Sequence, residues 1–200
     1  MLRVGLTGGI ACGKSTVVAM LREHGCAVLE ADPIAHQAIE RGGPAYDDIV
    51  QEFGAGVLAP NGSVDRKKLG AVVFADAARR EKLNRIVHPH VIRRQQAQLE
   101  EWRRAGFTVG IIEAALLIEA GYHTQLDRLV VCWCREEQQR ERLMARGLNE
   151  QQARERIAAQ MPIAQKRKLA DDEIDCSGSI EGTRQQVMAL VAKLKAIATR

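Results

Sequence analysis

Gly8-Gly9-Ile10-Ala11-Cys12-Gly13-Lys14-Ser15 decides the reading of this chain. The stretch fits G-x-x-x-x-G-K-[ST] in full, and its surroundings fit too. Leu2 to Leu6 before it is a short apolar run of strand length, and from about Lys14 to His24 the apolar spacing is helical. A glycine-rich turn between a strand and a helix lets backbone N–H groups close around phosphate oxygens, with the positive end of the helix dipole behind them. Lys14 supplies a cation for the β- and γ-phosphates, the Ser15 hydroxyl a ligand for Mg²⁺, and the Thr16 N–H a donor toward the α-phosphate. Gly8, Gly9, Ile10, Ala11, Cys12, Gly13, Lys14, Ser15 and Thr16 are thus the expected nucleotide-binding residues. The motif specifies a nucleoside triphosphate and leaves its fate open.

Outward from this loop the pattern continues as α/β. Cys26 to Leu29, Phe107 to Ile112 and Leu129 to Trp133 are apolar runs without surface alternation, as in strands of a parallel sheet covered on both faces. Glu173 to Cys176 is a last short candidate. The expected fold class is α/β: a doubly wound parallel sheet of the P-loop type flanked by helices, with a helical insertion and a helical lid. Helices are expected over 33–41 and 45–53, then from an Asp65 cap to about Phe74. A long helix is expected to start at His88-Pro89-His90 and end near Arg104, because proline suits a first helical turn. Asn149 with Gln152 resembles a capping box for a helix reaching Met161. The expected division is a nucleotide core of 1–34, 105–134 and 169–200, a helical domain of 35–104, and a lid of 135–168.

Ligands of such sheets sit beyond the carboxyl ends of the strands, and two acidic sites fall there. Asp32 is the candidate to bind and deprotonate an acceptor hydroxyl, with a helix N-cap as the competing reading. Glu113 is the candidate to hold the magnesium hydration shell, with a satisfied rim carboxylate as its alternative. Arg135, Arg140, Arg142, Arg146, Arg154 and Arg156 alternate with glutamates. Most read as a solvated face, and some as lid cations that stabilise charge on a transferring group.

Composition narrows the function classes. The 200 residues are 46% hydrophobic and 27% charged, ordinary for a globular protein. Residues 135–168 hold nine basic and five acidic residues, which accounts for the whole net charge of +4. Localised charge and 4% aromatics speak against a nucleic-acid surface despite a pI near 8.9. No apolar run, Ala114 to Ile118 included, is long enough to span a bilayer, and the N-terminus lacks the form of a signal peptide. Five irregularly spaced cysteines fit reduced thiols, with Cys132 and Cys134 as small core residues. A cytoplasmic protein without membrane or nucleic-acid partners, and a monomer, is the expectation.

Taken together, Leu6-Thr7-Gly8-Gly9-Ile10, Ala31-Asp32, Leu83-Asn84-Arg85-Ile86-Val87-His88-Pro89, Leu116-Leu117 with Glu119, Gln139 with Arg142-Leu143 and Arg146, and Gln160-Met161-Pro162 with Lys166-Arg167 and Ala170-Asp171 form an ordered set. In that order they resemble the dephospho-coenzyme A kinase family over nearly the whole chain. The resemblance implies ATP and Mg²⁺ as cofactors, dephospho-coenzyme A as acceptor, and transfer of the γ-phosphate to its ribose 3′-hydroxyl. It implies Asp32 as general base, Asp32, His88 and Leu116 at the acceptor, and Lys14, Arg142 and Arg146 at the phosphoryl group. Arg142 and Arg146 stand as equal candidates for the γ-phosphate. The chain departs from the family pattern at Glu30 and Glu113 (usually Asp), Ala115 (Pro), Ile118 (Phe) and Cys176 (Asn). Without the proline, the segment after Glu113 is expected to be looser; without the asparagine, the adenine end loses an amide. The rival assignments are another small P-loop kinase, acting on a nucleoside monophosphate or a metabolite, and a GTPase-like module. The latter lacks its Asn/Thr-Lys-x-Asp element.

Overall fold

The computed structural model describes residues 1–199. Five parallel strands, β1 (Leu2–Gly8), β2 (Ala27–Glu30), β3 (Val109–Glu113), β4 (Arg128–Trp133) and β5 (Asp172–Asp175), form one sheet in the order β2-β3-β1-β4-β5. β1 lies at the centre, with Leu6 opposite Glu113 on one side and Val130 on the other. β1, β3 and β4 bury on both faces along most of their length, which is why they read as continuous apolar runs. On one face Val4, Leu6, Val109, Ile111, Val130, Cys132 and Ile174 pack against α1 (Lys14–Glu23) and α9 (Ile180–Ala198). α9 presents Val187, Leu190, Val191 and Leu194, the i, i+3, i+4, i+7 spacing of a single helical stripe. No helix among the described residues is long and apolar enough to cross a membrane.

The chain divides into two units, Met1–Leu29 with Leu99–Arg200, and Glu30–Gln98. The second unit is helical: α2 (Ala31–Ile39), α3 (Tyr46–Phe53), α4 (Arg66–Ala75) and most of α5 (Ala77–Arg104). Asp65 caps α4 as expected, accepting from Lys67 N and Lys68 N. The turn at Ala59–Ser63 is closed by Asn61, whose Oδ1 accepts from the Ser63 backbone and hydroxyl. Ala45, Ile49, Val57, Leu69, Val87 and Val91 are buried there.

Several boundaries differ from the sequence reading. β2 begins after Cys26, and α7 (Glu150–Ala158) stops before Met161 although its capping box is formed. The larger correction concerns Pro89. The long helix does not start there: α5 begins at Ala77 and carries Pro89 in its interior. The actual start is Asp76, whose Oδ1 accepts from Ala78 N and Arg79 N. An aspartate ahead of a helical run is the local signal for that start. An interior proline removes one i→i−4 bond and crowds the Arg85 carbonyl.

Replacing Pro89 by alanine should therefore stabilise the folded protein by about 1–3 kcal/mol. The midpoint of urea unfolding should rise with an unchanged m-value.

Candidate active site

The phosphate loop is built by backbone geometry. Gly8 ends β1 against β4 so closely that a Cβ there would overlap the Cys132 carbonyl oxygen. Ala11 (φ 58°) and Gly13 (φ 96°) adopt left-handed conformations that curl the loop back on itself. Cys12 N donates to Gly9 O at 3.2 Å, closing the curl. Lys14 is then the first residue of α1, and among the described residues no side chain caps this helix. Its first turn also lacks an acidic residue. Unsatisfied N–H groups and the positive dipole end are therefore left for an anion. Ser15 and Thr16 lie exposed on this first turn.

Lys14 Nζ pairs with Glu113 Oε1 at 2.9 Å, both side chains being largely buried. This puts the motif lysine and the acidic end of β3 in one place, as strand register dictates: Glu113 is the partner of Leu6, two residues before Gly8. The segment after Glu113 is tied down, contrary to the looseness expected without a proline. The Ala115 carbonyl accepts from Thr7 Oγ1 at 3.2 Å and from Lys166 Nζ at 2.9 Å. Leu117 is buried while Leu116 is half exposed.

α6 (Glu136–Met144), α7 and α8 (Ile163–Lys168) follow β4, with Gly147 (φ 90°) between the first two. They reach the loop through three side chains. Arg142 Nη1 donates to Ala11 O at 3.1 Å and Nη2 to Cys176 O at 3.0 Å. Gln139, buried, donates to Cys12 Sγ at 2.8 Å. Gln160 Oε1 accepts from Ile10 N at 2.8 Å. Arg146 is exposed and has no hydrogen bond or ion pair among the described residues. Together with Ala11, Gly13, Thr16, Arg142, Cys176, Gly178, Ile180 and Thr183, it lines a cavity of about 210 Å³. The structure thus separates two arginines that the sequence could not: one is engaged with carbonyls, the other is open to a ligand.

Two of these contacts were missed by sequence reasoning. Gln160 sits in the Gln160-Met161-Pro162 stretch, but nothing in a lone glutamine says that it caps a loop amide 150 residues away. Lys166 belongs to a run of three cations that reads as solvated, yet it is fully buried. Its ammonium pairs with Glu119 at 2.9 Å, and Glu119 also accepts from Met161 N at 3.0 Å.

Asp32 lies in the other unit, at the second position of α2 and exposed. It is not the cap: Glu30 occupies that position without a capping hydrogen bond, and Asp32 sits inside the first turn, where the dipole favours a carboxylate. His36, one turn on, is pushed below its ordinary range by burial and by Arg66, with Asp32 opposing. His88 is half-buried on α5, and burial pushes its pKa down as well.

A family model described as dephospho-CoA kinase matches residues 2–182. The chain belongs to the dephospho-CoA kinase family. It is 49% identical to a Symbiobacterium thermophilum protein named dephospho-CoA kinase, over 93% of this chain and 78% of that protein. The fold is similar to the crystal structure of TT1252 from Thermus thermophilus, with a TM-score of 0.83 at 34% identity over 96% of this chain and 97% of that one. Dephospho-CoA kinase from Campylobacter jejuni superposes with a TM-score of 0.71 at 26% identity, covering 97% of each chain. The parallel five-stranded sheet around a phosphate loop is therefore the sheet of a P-loop kinase.

Arg142→Ala removes two charge-assisted hydrogen bonds that hold the loop to the β5–α9 turn. The KM for ATP should rise by about tenfold or more while the fold survives, as read by steady-state kinetics and circular dichroism. Glu119→Ala leaves the Lys166 ammonium buried with one fewer anion and should destabilise the protein by about 3 kcal/mol in urea unfolding.

Proposed function

We infer that this protein transfers the γ-phosphate of ATP to the ribose 3′-hydroxyl of dephospho-coenzyme A, giving coenzyme A and ADP, the last step of coenzyme A biosynthesis. The observation that carries the inference is the match to the dephospho-CoA kinase family over residues 2–182, on a chain whose α1 N-terminus is left open for phosphate.

The residues divide the work by their surroundings. The backbone N–H groups of the loop and of the first turn of α1 that have no protein partner bind the phosphates, and their fixed orientation lets them stabilise charge without reorganising during the reaction. Lys14 leaves part of its pairing with Glu113 to meet the β- and γ-phosphates. Arg142 positions the loop through Ala11 O and the base-side turn through Cys176 O. Arg146, exposed at the rim of the cavity, is the cation that closes on the γ-phosphate. Asp32 accepts the proton of the attacking hydroxyl, which needs an ionised carboxylate within hydrogen-bond reach of the acceptor. His88 and Leu116 contact the acceptor.

The Ser15 hydroxyl and the Glu113 carboxylate are hard oxygen donors. No cluster of three or more His, Cys, Asp or Glu side chains that could hold a metal occurs among the described residues. That donor set fits Mg²⁺, which keeps its waters and binds through one or two protein groups and the substrate phosphates. Bound there, the ion would neutralise developing charge on the β- and γ-oxygens. Residues 35–104 form the acceptor-binding part and 135–168 the lid, in a cytoplasmic monomer.

ADP release with ATP and Mg²⁺ should be strongly stimulated by dephospho-coenzyme A and not by AMP, CMP or shikimate. Lys14→Ala and Asp32→Asn should each lower kcat by about 10²-fold or more. Stimulation by another acceptor alone would overturn the substrate and keep the kinase.

A further inference from the structure

One buried cation holds the entry of the phosphate loop from two sides. Thr7, fully buried near the end of β1, donates through Oγ1 to Ala115 O at 3.2 Å. The same carbonyl accepts from Lys166 Nζ at 2.9 Å. The Lys166 ammonium also pairs with Glu119 Oε1 at 2.9 Å, and that oxygen accepts from Met161 N at 3.0 Å. Gln160, the chain neighbour of Met161, accepts at Oε1 from Ile10 N at 2.8 Å. The contacts run from Thr7 through Ala115, Lys166, Glu119 and Met161 to Gln160 and Ile10, and the chain through Gly8 and Gly9 closes the ring.

Ile10 N is the one N–H of the loop, among the described residues, that donates to a side chain. It stands next to Ala11, whose φ of 58° an alanine adopts at a cost. A residue keeps such a conformation where its surroundings over-determine it. Two side chains do so here. Gln160 fixes the amide of Ile10 on one side of the bend, and Arg142 Nη1 fixes the carbonyl of Ala11 at 3.1 Å on the other. Of the two, only Arg142 lines the cavity.

The mount of Gln160 is stiff. Its own N–H donates to Ile157 O at 3.2 Å, and the Lys166 N–H donates to Pro162 O at 3.1 Å. The Lys166 side chain has no exposed surface. Its ammonium keeps its partners, because losing them would leave a buried charge uncompensated. A carboxamide held in this way does not follow a drifting loop; the loop conforms to it.

We propose that Gln160 is a positioning residue for the nucleotide: held by the buried Lys166–Glu119 pair, its carboxamide fixes the Ile10 peptide and, through it, the loop amides that meet the phosphates. Gln160 acts through the loop rather than on the substrate. It removes in advance a freedom that the loop would otherwise lose on binding. The inference rests on the loop being the ATP site.

The test titrates the full chain with ADP by isothermal calorimetry, beside steady-state kinetics with ATP, Mg²⁺ and dephospho-coenzyme A. Gln160→Met keeps the side-chain length and lacks the carbonyl, whereas Gln160→Ala removes both. The two variants should weaken ADP binding and raise the KM for ATP alike, by about threefold or more, with an unchanged circular dichroism spectrum. The KM for dephospho-coenzyme A should stay within about twofold of the wild type, because the Ala115–Glu119 turn remains held by Lys166. Lys166→Met also releases that turn, with Leu116 on it, and should raise both KM values. Added to Gln160→Met it should cost little further ADP affinity, as expected of groups that act in series. The Gln160 pair decides the question even if Lys166→Met does not fold. Full ADP affinity in Gln160→Met, whatever Gln160→Ala does, would overturn the proposal. So would tighter ADP binding in either variant, which would mean that the carboxamide competes with phosphate for Ile10 N, and so would an equal rise in the acceptor KM. Wild-type protein that takes up no ADP would bring down the nucleotide reading itself, and the role of Gln160 with it.

Discussion

The site depends on one unfilled helix end. α1 is pinned by Val17, Val18, Met20 and Leu21 against β1 and α9, and nothing in the described residues caps its N-terminus. Packing at the back of the helix therefore offsets the cost of unsatisfied amides at the front, and the strand order directs those amides outward at the carboxyl edge of the sheet. Phosphate binding is in this sense a deficit built into the fold, held open until an anion fills it.

Around that deficit the chain arranges groups that would be awkward elsewhere. A largely buried lysine and glutamate face each other at 2.9 Å, an arginine spans two backbone carbonyls, and a glutamine carbonyl occupies one loop amide. Each is acceptable because a neighbour balances it.

Much of this was legible in the sequence. The phosphate motif is local, and its strand–turn–helix context follows from apolar runs of the right length, so β1 and α1 read correctly. The strands at 109–113 and 128–133 announced themselves because both faces are covered. Local signals also misled. Pro89 reads as a start because proline is usually excluded from helix interiors, whereas α5 runs through it. Asp32 followed by Pro33 reads as a cap with a helix from Pro33, but α2 begins two residues earlier, at Ala31. What composition could not disclose were contacts between distant segments: the burial of Lys166, the hold of Gln160 on Ile10, and the different situations of Arg142 and Arg146. These depend on which groups the fold brings together, and a charge run alone reads as solvated.

The attachments of residues 135–168 have an evolutionary consequence. α6 is tied in by Gln139 and Arg142, and α8 by buried Lys166 and by Arg167, which sits 3.9 Å over the Trp133 ring and pairs with Glu173. α7 buries little beyond Ala153. Mutational drift should therefore concentrate on the outer face of α7, between two segments whose sequences are fixed by what they hold. Change in this part of the chain is channelled into α7, where the surface can be rewritten while the loop stays intact.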